Sequence, residues 1–127
     1  MKRGELRDHI QTIEKGYEFF LAYAAQGAAD EEASKVGAQL RDFLDRTADA
    51  LRALETDLAG LLEDGLEPED AYRDMIEVTA RDAAAAGAAV RLVRAQPTIS
   101  SQMVDNLNAS THVRALLTDL FLLDDVV

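Results

Sequence analysis

The chain contains no cysteine and only two histidines, His9 and His112, so any metal or acid–base chemistry has few residues to work with. Without cysteine there is no disulfide, thiolate zinc site, cysteine-ligated iron–sulfur cluster or cysteine nucleophile. A carboxylate-bridged di-iron or di-manganese centre draws inward-facing glutamates from two helices. It also needs a Glu-x-x-His motif from each of two others. His9 is preceded by Leu6 at i−3 and Glu5 at i−4, and His112 by Ala109 and Asn108. The motif is missing at both. A reduced site could still use Glu14, Glu18 and His9, and these are the metal candidates. The expectation is that no metal is bound.

Other reactive constellations are equally incomplete. Histidine phosphotransfer uses a His followed at three and four residues by Lys and Gly, where the small residue exposes the imidazole. Here those positions hold Thr12 and Ile13 after His9, and Ala115 and Leu116 after His112. Ser110, His112 and Asp105 could be drawn as a triad, but no nucleophile elbow surrounds them. No G-x-x-x-x-G-K-[ST] or G-x-G-x-x-G loop is present to cradle a phosphate. The expectation is no catalytic residue and no cofactor.

Charge narrows the partners. Twenty-four acidic residues against thirteen basic ones give a formal net charge of −11 over 127 residues. Nucleic-acid affinity rests on counterion release by clustered Lys and Arg, which this field opposes. Arg81, Arg91 and Arg94 approach a basic stripe, but Asp82 interrupts it. Lys2 and Arg3 lead into the charged run Gly4-Glu5-Leu6-Arg7-Asp8 rather than an apolar segment. No apolar stretch approaches the ~20 residues that span a bilayer. No nucleic acid, no membrane and a cytoplasmic setting are the expectations.

The elements that would position these residues are helices. Leu6, Ile10, Ile13, Tyr17, Phe20 and Ala24 are spaced 4-3-4-3-4, one apolar stripe over 4–26 that Gly27 would end. Asp30 is a plausible cap for a second helix over 31–63, with Val36, Leu40, Phe43, Thr47, Leu51, Leu54, Leu58 and Leu61 inward. At about 1.5 Å per residue that helix would be ~48 Å long, against ~34 Å for the first. It either overhangs its neighbours or starts at Gly37. Glu67-Pro68-Glu69-Asp70 opens a third helix over 68–95, with Tyr72, Met75, Ile76, Thr79, Ala83, Ala86, Val90 and Val93 inward. Pro97 stops it, and Thr98, Ser100 or Ser101 can cap a fourth over 99–123, with Met103, Leu107, Ser110, Val113, Leu117 and Leu120 inward. Nothing alternates with the period of a strand. Short breaks between long helices predict one domain over 1–127, an all-α, up-down-up-down antiparallel four-helix bundle. In outline this resembles the ferritin-like and phosphotransfer bundles, and the chain carries the signature residues of neither.

Three features exceed what one buried stripe requires. Tyr17–Tyr23 holds four of the seven aromatics, and Phe19 and Tyr23 form a second ridge at i, i+4. Ala83–Ala89 is a run of small residues that permits close helix packing or leaves a groove for that ridge. After residue 115 the chain carries Leu116, Leu117, Leu120, Phe121, Leu122 and Leu123, which point around most of a helix. The reading is a non-enzymatic interaction or regulatory module. It self-associates as a homodimer, with a protein partner as a further possibility. Phe19, Tyr23, Leu116, Phe121 and Leu122 form its interaction surface. The alternatives are a degenerate ferritin-like metal-binding bundle and a bundle holding a small apolar or aromatic ligand between the aromatic and alanine-rich helices.

Overall fold

The computed structural model describes residues 1–127 and is all-helical, with no strand. Five α-helices are present: α1 (Arg3–Ala25), α2 (Gly37–Asp57), α3 (Glu69–Arg94), α4 (Ser101–Ala109) and α5 (His112–Val126). The four-helix expectation is corrected to five, because 99–123 is two helices rather than one. Thr111 adopts φ 63° and ψ 1°, a left-handed conformation that no α-helix continues through. Ser110, expected to face inward, is exposed, and its hydroxyl donates to the Leu107 carbonyl at 2.6 Å. Helix α5 then runs on to Val126.

The second helix is also shorter than 31–63. It starts at Gly37, the later of the two starts its length allowed. Before it, the Asp30 carboxylate accepts the Ala33 amide at 2.9 Å in a local turn, and Glu31 is drawn aside to Arg41. After Asp57 the chain tightens into a 3-10 helix, Leu58–Asp64, whose i, i+3 geometry still buries Leu58 and Leu61. Gly65 at φ 72° ends it.

α1 and α3 match their expected spans to within one residue at each end. Gly27, at φ 64°, stands where the α1 C-terminus requires a left-handed residue. Glu69 and Asp70 open α3, and Arg91 and Arg94 close it, each sign stabilising the adjacent end of the helix dipole.

One continuous core joins all five helices. α1 packs against α2, α4 and α5, while α3 packs chiefly against α2 and α5. Leu40, Leu51, Leu54, Ile76 and Leu117 lie inside it. Gly16 lets α1 approach α2 at the fully buried Thr47, where a Cβ would collide with the Thr47 hydroxyl. No helix is long and apolar enough to cross a membrane.

Candidate functional site

A cleft lined by apolar residues lies between the start of α3 and the end of α5. Ala71, Tyr72 and Met75 form one wall and Leu122, Leu123 and Val126 the other, around about 240 Å³. The Tyr72 phenol donates to the Val126 carbonyl at 2.9 Å and so ties the last turn of α5 to the first turn of α3. Leu122 is 52% exposed and Val126 48%, so both stand proud of the cleft they line. This is where the excess of apolar residues in the C-terminal segment emerges at the surface.

Phe121, 42% exposed, belongs to a different seam. With Glu14, Tyr17, Glu18, Arg114, Leu117 and Thr118 it lines a second cleft, also about 240 Å³, between α1 and α5. Phe121 and Leu122 therefore look out on opposite flanks of α5.

Two other residues of the expected surface are corrected by their burial. Tyr23 is fully buried, and its hydroxyl donates to the Ile99 carbonyl at 2.6 Å. Leu116 is fully buried between the helices that flank α5. Within this fold neither can touch another chain. Phe19 is half-buried and stacks on Phe43 of α2, ring centroids 4.4 Å apart at 18°. The ridge of α1 is thus covered within the chain, by Phe43 of α2 and by the segment that leads into α4. Within the alanine run Gly87 faces α2, where an added Cβ would lie 3.7 Å from Leu51 Cβ.

The metal candidates do not assemble. Glu14 and Glu18 lie in the α1–α5 cleft beside Arg114, and His9 does not line it. Nowhere do three His, Asp or Glu side chains converge as a metal ion requires. No hydrogen bond joins Ser110, His112 and Asp105, and Asp105 lies near Gly27 and Ser100 in a separate depression.

Sequence reasoning missed one pair. Asp82 of α3 and Asp119 of α5 meet within hydrogen-bonding reach, and Asp119 Oδ2 is buried with no donor to satisfy it. Burial, and then the neighbouring Asp82, push the Asp119 carboxyl up to about 7. The two residues are far apart in sequence on different helices, so no local spacing announces them. Set against known proteins, the chain matches no family model, no curated sequence and no solved structure.

Proposed function

We propose that the chain is a non-enzymatic interaction module that self-associates as a homodimer, two copies meeting across the α3–α5 cleft. One observation carries this reading: Leu122 and Val126 protrude beside an apolar hollow on the same surface. A knob next to a matching hole is self-complementary under a two-fold axis, so each copy can fill the other's cleft. Two chains of charge −11 repel each other wherever they meet, so the apolar contact has to outweigh that repulsion. A free small ligand is the weaker reading, because the cleft falls below the roughly 300–1,000 Å³ of ligand pockets.

The architecture that goes with this reading is an antiparallel four-helix bundle of α1, α2, α3 and α5, with α4 as a short strut. Four contacts support it: Phe19 with Phe43, Asp45 with Arg94, Tyr72 with Val126 and Arg7 with Asp124. In each, a residue toward one end of a helix meets one toward the opposite end of its neighbour.

Sedimentation equilibrium tests the proposal. Wild type should be a dimer at micromolar concentration, tightening with salt as charge repulsion is screened. Leu122→Asp should give a folded monomer. Phe121→Asp, on the opposite flank of α5, should remain dimeric. A wild-type monomer at high micromolar concentration overturns the reading.

A further inference from the structure

The cleft and the acidic pair share the same two lines of residues. Met75, Val78 and Asp82 fall at i, i+3 and i+7 on α3, and Asp119, Leu122 and Val126 do so on α5. Asp82 and Asp119 therefore close one end of the apolar surface formed by Val78, Leu122 and Val126, all of them exposed.

Two ionised carboxylates cannot rest against each other in a half-buried seam without a cation, and none faces them. Along α3, Arg73 is paired with Glu69, Arg81 donates to the Glu77 carbonyl, Arg91 lies beside Gly87 and Arg94 is paired with Asp45. Along α5, Arg114 lies in the α1 cleft with Glu14 and Glu18, Asp124 is taken by Arg7 of α1, and His112 and Asp125 are exposed. Asp74 and Glu77 of α3 are exposed acids, and Asp105, the one charged residue of α4, lies toward Gly27. A proton is the remaining remedy. One protonated carboxyl donates to the other carboxylate, which gives the buried Oδ2 of Asp119 a partner and joins α3 to α5.

We infer that Asp82 and Asp119 share one proton and act as a clasp across the α3–α5 seam. Loss of that proton loosens the seam and weakens the self-association built on it. The second part rests on the cleft being the dimer contact; the clasp itself does not. Burial, and then Asp82, push the Asp119 carboxyl up to about 7. An acid whose folded value is raised binds more protons folded than unfolded. Stability therefore falls as pH rises from the unfolded value near 3.8 through about 7. Association follows the same sign, because bringing a second apolar surface over the pair further disfavours its ionised form.

The test uses the full chain at pH 5.5 and pH 8, wild type beside Asp119→Asn and Asp82→Asn, with urea unfolding and sedimentation equilibrium on each. Wild type should unfold at lower urea at pH 8, and its dimer dissociation constant should rise by about tenfold. Asp119→Asn supplies an amide donor that does not titrate, so its urea midpoint should be nearly equal at the two pH values. Asp82→Asn removes the neighbouring charge but leaves the burial of Asp119, so it should weaken the dependence without abolishing it. If both variants keep the wild-type dependence, the clasp is wrong. If the variants flatten the stability profile while the wild-type dimer is indifferent to pH, the clasp stands and its control of association is overturned. If wild type is monomeric at both pH values, the dimer reading fails, and the stability profile alone decides the clasp.

Discussion

Tyr23 and Ile99 are seventy-six residues apart, yet the buried phenol of one donates to the main-chain carbonyl of the other at 2.6 Å. Around this bond the Ser101 hydroxyl donates to the Tyr23 carbonyl at 2.6 Å and accepts the Ala28 amide at 2.9 Å. The end of α1 is thereby fastened to the start of α4. Burial, followed by the negative charges of Glu31 and Asp30, holds the Tyr23 phenol above its ordinary range, so it stays a donor. Tyr23→Phe keeps the ring and orphans the Ile99 carbonyl. It should lower unfolding stability by about 1–3 kcal/mol, measured by urea denaturation. An unchanged midpoint would mean that the bond contributes nothing.

The two buried helix-interior glycines should respond to alanine with opposite signs. At Gly16 the new methyl would drive into the buried Thr47 hydroxyl of α2, which has nowhere to move, so Gly16→Ala should destabilise by about 1–3 kcal/mol. At Gly87 it would meet only the far end of the Arg91 side chain and, at an ordinary 3.7 Å, Leu51 Cβ. Gly87→Ala should therefore recover helix propensity and stabilise by about 0.5–1 kcal/mol. Thermal unfolding of the two variants side by side checks this, and equal signs would defeat it.

Acid should expose a second carboxylate with the reverse behaviour of Asp119. The Arg41 guanidinium first, and then the Ile99 amide, hold the Glu31 carboxyl below its usual range against the opposing effect of burial. A depressed acid contributes stability above its unfolded value near 4.5, and that contribution disappears as pH falls through the folded value. Glu31→Gln should be less stable than wild type at pH 7 and should lose less between pH 5 and pH 3. With Asp119 lowering stability as pH rises above 3.8 and Glu31 raising it only up to 4.5, the two effects cancel between those values, and wild-type stability should peak at about pH 4. Urea midpoints across this range decide the matter; an identical acid limb in Glu31→Gln would rule it out.

What the sequence made legible was what local spacing encodes. The stripe from Leu6 to Ala24 and the one from Ile76 to Val93 place α1 and α3 because each repeats on one helix face. The break at Thr111 escaped notice because apolar residues continue on both sides of it, Leu107 before and Val113 after, while the turn itself uses a threonine rather than glycine or proline. Tyr23 reads as part of a second ridge because its i, i+4 spacing from Phe19 is local, whereas its cover comes from Ile99 and the start of α4, far along the chain. Leu116 is buried for a related reason: α5 has both α1 and α3 as neighbours, and a helix with two neighbours needs a wide apolar face. Phe121 and Leu122 are the residues of that excess which reach solvent.

Arg41 binds both Glu31 oxygens, at 3.1 and 3.2 Å, and donates to the carbonyls of Arg94, Gln96 and Pro97 at 3.2, 2.9 and 3.1 Å. One guanidinium so holds two connecting segments, 28–36 and 95–100, that are distant in sequence. Local opening in proteins occurs in cooperative units rather than residue by residue. With one guanidinium shared between them, the Ile99 amide, donated to Glu31, the Ser101 amide, donated to Ala28, and the Ala33 amide should exchange with hydrogen at one common opening free energy. Two loops of the chain would then behave as one opening unit.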